Sequence, residues 1–200
     1  MARTQAADYA ARREAIVETA ATLFAQRGFL GASVAALATA CQASKSLIYH
    51  YYASKEDILY AVMASHIDAL LGAAEGIAKA RRPAQAKLDA LAHALMRLYV
   101  GAAARHKVLV NDLDCLPPAR RREIVAKQRR LIAMVEGLLE EIDPTLPASR
   151  RKAAAMLFFG MINWTHTWFD PEGAVSAESL ADMVAGLMRK GVKGLVPAET

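Results

Sequence analysis

The stretch SVAALATACQASKSLIYHYYASKED, residues 33–57, decides the fold of this chain. It reads as two short helices on either side of a turn at residues 42–44, followed by a new helix start at Ser54. Apolar residues of the first helix recur at spacings of three and four, which predicts a single buried face. The residues of this face are Val34, Leu37, Ala38 and Cys41.

The second short helix carries Ile48 and Tyr52 four residues apart. If these two side chains face inward, a helical period of about 3.6 residues turns the residues between and before them outward. The outward set is short, polar and aromatic, as expected of a recognition helix that enters the major groove of DNA. Its members are Ser46, Leu47, Tyr49 and His50.

Two segments carry a resemblance to a known family. ASKSLIYHYYASKEDI, residues 43–58, resembles the signature of the tetracycline-repressor (TetR) family, and GFLGASVAALATAC, residues 28–41, is similar to the segment that precedes it. Strong matching spans residues 12–60. The resemblance implies an all-α protein with a three-helix helix-turn-helix domain, residues 1–53, and a C-terminal effector-binding and dimerisation domain, residues 54–200.

Three positions depart from the family pattern. Gln42 stands where the family usually has the turn glycine, so a left-handed backbone there is strained unless the turn differs. Ser46 and Leu47 replace the common Gly-Thr pair. Leu47 therefore suggests an apolar contact, such as one with a thymine methyl group.

The resemblance implies a double-stranded DNA operator as partner and seven contact residues. We expect four of them to contact phosphates and three to read base edges. The phosphate contacts are Ser33, Lys45, Tyr49 and Lys55, and the base contacts are Ser46, Leu47 and His50. Tyr51 and Tyr52 are expected to be structural.

The charge distribution does not by itself indicate DNA binding. The chain carries a net charge of +5, but residues 1–60 contribute only +1, whereas residues 81–130 contribute +8. The basic excess therefore lies outside the helix-turn-helix, and the motif alone predicts the DNA surface.

Composition places the chain among cytoplasmic globular proteins. It is 54% hydrophobic and 22% charged, and its two cysteines, Cys41 and Cys115, lack metal-type spacing. No apolar segment of about 18 residues is free of charge, so we expect no membrane association. The sequence shows no catalytic constellation, metal site or cofactor motif, and an enzyme is not expected.

Residues 148–169 read as one helix that is apolar on most of its circumference. Such a helix must be covered on every side, and in a chain of this length a second subunit supplies part of the cover. We therefore expect a homodimer built on the last two helices as a four-helix bundle, as the resemblance also implies. The simpler alternative is a monomer core.

The segment NWTHTWFDPEG, residues 163–173, is similar to the corresponding segment in a TetR subgroup whose ligands are coenzyme A thioesters. This implies a small effector, an acyl-coenzyme A, held by aromatic and basic side chains; for the tryptophans, core or interface packing is the simpler alternative. At least one basic residue from two inferred helices is expected at the phosphates, although most of these side chains are expected to be solvated. The basic residues are Arg97, Arg105 and Lys107 on one helix and Arg120, Arg121, Arg122, Arg129 and Arg130 on the other. The candidates are Met96, Tyr99, Arg122, Met134, Phe159, Trp164 and Trp168.

Two other functions remain open at this stage. One is a TetR-like regulator of efflux or another pathway that responds to a hydrophobic drug or an aromatic acid; the other is a helical interaction module that does not bind DNA.

Overall fold

The computed structural model describes residues 2–191, with side chains from residue 7 onward, and this part of the chain contains helices joined by turns and no β-strand. The all-α prediction is confirmed. Two short 3₁₀ turns, Leu113–Cys115 and Trp164–Thr167, interrupt the α-helices. The α-helices are α1 (Ala2–Gly31), α2 (Val34–Ala40), α3 (Lys45–Tyr51), α4 (Lys55–Ala78), α5 (Ala84–Gly101), α6 (Ala103–Asn111), α7 (Pro118–Ile142), α8 (Ala148–Asn163) and α9 (Ala177–Gly191).

The chain forms two compact units. The first contains residues 1–67 and 104–124, and the second contains residues 68–103 and 125–200. Helices α4 and α7 each contribute residues to both units. The functional division at residue 53 predicted from the sequence stays a prediction.

We call the first three helices, α1–α3, the reader. They share a core to which α1 contributes an apolar stripe. The helical spacing of Ile16, Ala20, Leu23 and Phe24 predicts an apolar stripe on α1. These four residues are buried, with exposed fractions of 0–7%. Gly28 interrupts this helix at φ 69° and ψ 158°, a conformation open to glycine and costly for residues with a Cβ atom. The regular part of α1 therefore ends at residue 27, where a glycine after an apolar helical pattern predicts a helix stop.

The turn between α2 and α3 adopts the strained conformation anticipated from the sequence. Gln42 has φ 51°, in the left-handed region. The N–H of Ala43 donates to the carbonyl of Ala38 at 2.9 Å and the N–H of Gln42 donates to that of Thr39 at 3.0 Å, the Schellman pattern whose left-handed position favours glycine. The turn thus keeps the glycine-type geometry with a glutamine in place.

Serine hydroxyls begin four of the helices. Each accepts a hydrogen bond from the backbone N–H three residues later, at N···O distances of 3.0–3.1 Å. At the start of α4 the Ser54 hydroxyl also donates to the Asp57 carboxylate at 2.8 Å, and the helix start expected at Ser54 is confirmed. The four serines are Ser33, Ser44, Ser54 and Ser176.

Two helix predictions are wrong. Leucines at helical spacing predict one helix over residues 84–106. The structure instead breaks this helix after Gly101, because Ala102 leaves the helical region at φ −135° and ψ 42°. The helix expected over residues 148–169 ends as α8 at Asn163 and continues as a 3₁₀ turn. There the Thr165 hydroxyl donates to the carbonyl three residues back at 2.6 Å, and hydroxyls that bind nearby carbonyls compete with the α-helical ladder.

A polar cluster joins α1, α4 and α6 within the first unit. The Arg105 guanidinium is paired with Glu14 and Glu18 and donates to the Ser65 hydroxyl at 3.1 Å. Next to it, His66 Nε2 lies 3.3 Å from Nδ1 of His106, and both imidazoles are buried. Burial, and secondly the charge of Arg105, lower the pKa of His66 to about 4, so this imidazole is neutral at neutral pH.

The geometry at Gln42 predicts that Gln42→Gly stabilises the protein. A left-handed residue with a Cβ atom destabilises the folded state by about 1–2 kcal/mol. Glycine removes this strain, but it makes the unfolded chain more flexible, which lowers the free energy of unfolding by about 0.5–1 kcal/mol. We therefore expect a net gain of up to about 1 kcal/mol in the free energy of unfolding, measured by urea denaturation at fixed protein concentration.

Ala40→Gly, at an exposed position with ordinary helical geometry two residues earlier, is the matched control and should lose about 0.5–1 kcal/mol. Equal losses for both variants would show that residue 42 carries no left-handed strain.

Candidate functional site

The orientation of α3 follows from two buried side chains. Ile48 is fully buried and Tyr52, at the C-terminal cap, is 5% exposed. The hydroxyl of Tyr52 donates to the backbone carbonyl of Arg13 in α1 at 3.3 Å. Arg13 also places its guanidinium 4.8 Å from the centre of the Tyr52 ring, a cation–π contact that sequence analysis missed.

The side of α3 that faces away from this core presents the predicted contact residues. Lys45, Ser46, Tyr49 and His50 are exposed, with Tyr49 at 51%, and Leu47 is half-buried. The Ser46 hydroxyl lies 2.8 Å from that of the cap residue Ser44, but a hydroxyl has one donor and two acceptor sites, so it retains capacity for another partner.

The predicted phosphate contacts have different surroundings. Ser33 is exposed at the cap of α2, and Lys45 is exposed at the first position of α3. The Lys55 ammonium lies 4.1 Å from the centre of the Phe29 ring and is half-buried, so this lysine has a partner within the first unit. Their contacts with DNA stay predictions.

An aromatic cluster joins α1 to the last turn of α3. The Tyr9 and Tyr51 ring centres are 4.8 Å apart, and the His50 ring lies edge-on to both, at 6.3 Å from Tyr9 and 5.1 Å from Tyr51. Sequence analysis missed Tyr9. The available signal was its spacing of four residues from Arg13, which places both on one side of α1.

The predicted effector residues have different surroundings, and their binding of a ligand stays a prediction. Met96, Tyr99 and Phe159 are 0–6% exposed and belong to the core of the second unit. The Tyr99 hydroxyl donates to Oδ1 of Asn163 at 2.7 Å, and burial raises the pKa of this phenol well above its ordinary value.

Both tryptophans are exposed, Trp164 at 65% and Trp168 at 56%. Because α8 ends before them, they do not share the continuous α-helical face that their spacing predicted. Arg122 is exposed and belongs to the first unit, whereas the other six candidates belong to the second.

Much of the basic excess is already paired. Arg121 forms an ion pair with Asp114, and Lys127 with Asp68. Arg120 lies within 4.0 Å of two carboxylates and over the ring of Tyr60. These contacts explain why a strongly basic segment leaves less free positive charge than its composition indicates.

Met134 lines two adjoining pockets in the second unit. The first is a cavity of about 120 Å³ lined mainly by apolar residues of α4, α5 and α7, with Lys87 and Glu141 also in its wall. The second is an open groove of about 350 Å³ that shares Ala78 and Met134 with the cavity. The groove carries Lys79 and Arg130, and Arg130 is paired with Glu75.

Helix α8, the 3₁₀ turn after it and α9 carry large apolar side chains that the described chain leaves at least half exposed. These residues are 50–65% exposed, a large fraction for side chains of this size. They are Met156, Leu157, Trp164, Met183 and Leu187. We call this set the apolar face.

The described residues give little indication of a metal site or a membrane-spanning helix. The described residues contain no group of three or more histidine, cysteine or acidic side chains arranged to hold a metal ion. By length and composition α4 meets the minimum for a membrane span, but half of the apolar stretch is buried, as is typical of a core helix.

Two family descriptions match the chain. Residues 16–62 match the family described as bacterial regulatory proteins, tetR family, and residues 81–192 match the tetracyclin repressor-like C-terminal domain. The first match covers α1 from residue 16, α2, α3 and the start of α4, and the second covers more than half of the chain.

Relatives and solved structures agree along nearly the whole chain. The transcriptional repressor KstR2 of Rhodococcus jostii is 32% identical, with 90% of this chain and 91% of that protein covered. A TetR-family regulator from Bordetella parapertussis is 36% identical with a TM-score of 0.85, covering 93% of this chain and 98% of that one. AibR, crystallised with isovaleryl coenzyme A and operator DNA, is 27% identical with a TM-score of 0.80, covering 88% and 97%.

The exposed side of α3 predicts different outcomes for two neighbouring substitutions. Tyr49→Ala should weaken binding to all duplexes similarly, because a phosphate contact carries no sequence information. His50→Ala should relax the preference at one base position, by about 1–3 kcal/mol. Both are measured by fluorescence anisotropy on a duplex selected by the protein from a random pool and on an unselected duplex.

Each variant controls for the other, because both side chains are exposed on the same helix. If both substitutions lower the thermal midpoint of unfolding by many degrees, the assignment of inner and outer sides of α3 is wrong.

Proposed function

The chain belongs to the TetR family of DNA-binding transcriptional repressors, and we propose that it acts as a homodimer on a palindromic operator from which an acyl-coenzyme A thioester releases it. The family consists of regulators and not enzymes. The observation that carries the DNA-binding part is the polar, exposed side of α3 above the buried Ile48 and Tyr52.

In this proposal α3 lies in the major groove. Ser46, Leu47 and His50 read base edges, and an imidazole or hydroxyl at this surface can donate to or accept from them. The phosphate contacts come from the remaining predicted residues, which position the reader on the duplex. They are Ser33, Lys45, Tyr49 and Lys55.

The apolar face supports the homodimer. Covering these exposed apolar side chains with a second copy removes them from water and stabilises the dimer. About a two-fold axis, the same surface of each subunit forms the interface. Two readers related by such an axis match two half-sites about 34 Å apart on one side of B-DNA. A palindromic operator follows from this symmetry.

The cavity and its adjoining groove support a ligand with an apolar end and an anionic end. A cavity of about 120 Å³ is close in size to one that holds a benzene ring, so it suits an acyl group of about five or six carbon atoms. Lys79 and Arg130 at the neighbouring groove suit the phosphates of coenzyme A, for which Arg130 would exchange its bond to Glu75. AibR, a structural neighbour, binds isovaleryl coenzyme A.

Release from DNA is proposed to be a shift between two conformers. Helix α4 provides a physical connection, because its first residues pack in the first unit and its last turn, with Ala74, Ile77 and Ala78, lines the cavity. A thioester that fits the cavity of one conformer better than that of the other favours that conformer, and only this difference in affinity can drive release.

Substitution in the apolar face tests the homodimer. Leu187→Arg places a charge in the proposed interface and should raise the dimer dissociation constant by roughly a hundredfold. The variant dimer loses the burial of a leucine side chain and must bury an unpaired charge instead. Light scattering after size exclusion measures the mass, and operator affinity should fall with it.

Glu178→Arg is the matched control, because it lies nine residues earlier on α9 and hence on the opposite side of the helix. A Leu187→Arg protein that stays dimeric would show that the subunits meet elsewhere.

Two adjacent arginines of α7 test the effector site. Arg130→Ala should weaken binding of isovaleryl coenzyme A on the order of tenfold, because it removes a charge-assisted hydrogen bond to phosphate. Arg129→Ala, also exposed but outside the groove, should bind it like the wild type. Isothermal titration measures binding, and anisotropy measures release of the selected duplex.

Free isovaleric acid should bind both variants equally, since it lacks the phosphates. Absence of isovaleryl coenzyme A binding at millimolar concentration would rule out the thioester. Release of the duplex by a hydrophobic drug or an aromatic acid would favour the alternative regulator.

If the selected and unselected duplexes bind equally at all salt concentrations, the protein is not an operator-binding repressor.

A further inference from the structure

We propose that Tyr9, a residue of α1 outside the helix-turn-helix, is a positioning residue that holds the His50 imidazole in the orientation that reads a base. The inference rests on the proposed role of His50 and adds a residue that sets the specificity of the reader.

The first step is the environment of His50. This residue is exposed in the last turn of α3. Within the described chain its imidazole makes edge-on ring contacts with Tyr9 and Tyr51, and no hydrogen bond fixes it. Edge-on geometry is favourable because the positive edge of one ring meets the negative face of the other. The orientation of the imidazole therefore depends on its aromatic neighbours.

The second step is the support of Tyr9. Its ring packs on Tyr51 at 4.8 Å between centres, with an angle of 38° between the planes. One helical turn later, Arg13 holds Tyr52 through the backbone hydrogen bond and the cation–π contact. Two successive turns of α1 thus hold the end of α3, and Tyr9 is the ring that reaches the imidazole.

The third step is the space beside the imidazole. An open groove of about 640 Å³ lies between α1 and α3, and its walls include Asp8, Tyr9, Arg12 and His50. If the Tyr9 ring were removed, His50 would gain room to turn into this groove. A side chain that samples several rotamers loses more entropy on binding, so its discrimination between bases falls.

The test uses the full-length protein and a panel of duplexes in which each base pair of the selected site is replaced in turn. Tyr9→Ala should reduce discrimination at the position read by His50 on the order of threefold to tenfold, the size of an aromatic pair contact. Its affinity for unselected DNA should be unchanged. Tyr9→Phe, which keeps the ring, should restore the wild-type profile.

The double variant with His50→Ala separates positioning from direct contact. In that background Tyr9→Ala should cause no further loss, because there is no imidazole left to orient. Equal weakening on all duplexes with a lower salt slope would overturn the inference, because it would make Tyr9 a phosphate contact. A loss of the same size with and without His50 would also overturn it.

The proposed role of His50 is tested separately by His50→Ala alone. If that substitution changes the base preference and Tyr9→Ala does not, only the positioning role fails. If His50→Ala leaves the preference intact, the base-reading role fails and the positioning role fails with it. Tyr9→Leu, which fills similar space without an aromatic ring, should behave like Tyr9→Ala and serves as the second variant if alanine unfolds the protein.

Discussion

The reader depends on the burial of Ile48 and Tyr52 beneath α3. A helix of seven residues is too short to be stable in water by itself, since nucleation is unfavourable and few hydrogen bonds repay it. Tertiary packing must therefore supply both its stability and its direction. With these two side chains inside, the helical period decides which residues face solvent, and the whole exposed surface follows from a single packing contact.

Features set by neighbouring residues were predictable from the sequence. The serine caps and the α1 stripe involve partners three or four residues apart, and the break at Gly28 is a property of one residue. Features that join distant segments were not predictable. The Arg13–Tyr52 contact spans 39 residues, and the contact of Tyr9 with Tyr51 is of the same kind.

The two wrong helix predictions have a different origin. Apolar periodicity continues through residues 84–106 and 148–169, so pattern alone favours unbroken helices. The breaks come from a glycine followed by a residue outside the helical region, and from hydroxyls that take nearby carbonyls. The early end of α8 also separates the tryptophans, which were expected to share one face.

Of the predicted effector residues, only Met134 lines the cavity and the adjoining groove described above. Burial and contacts between helices decide which apolar side chains border open space, and these contacts are not evident from the sequence.

The near-neutral charge of the reader has a kinetic consequence. Arg13 and Lys55 are two of the six Lys and Arg residues among residues 1–60, and each lies over an aromatic ring of the same unit. A protein that neutralises few phosphates has weak sequence-independent affinity, so it spends little time sliding along the chromosome. Such a protein is expected to search for its target mainly by repeated collisions from solution. A larger share of the molecules is then unbound, and an unbound molecule is free to meet the proposed effector before it meets DNA.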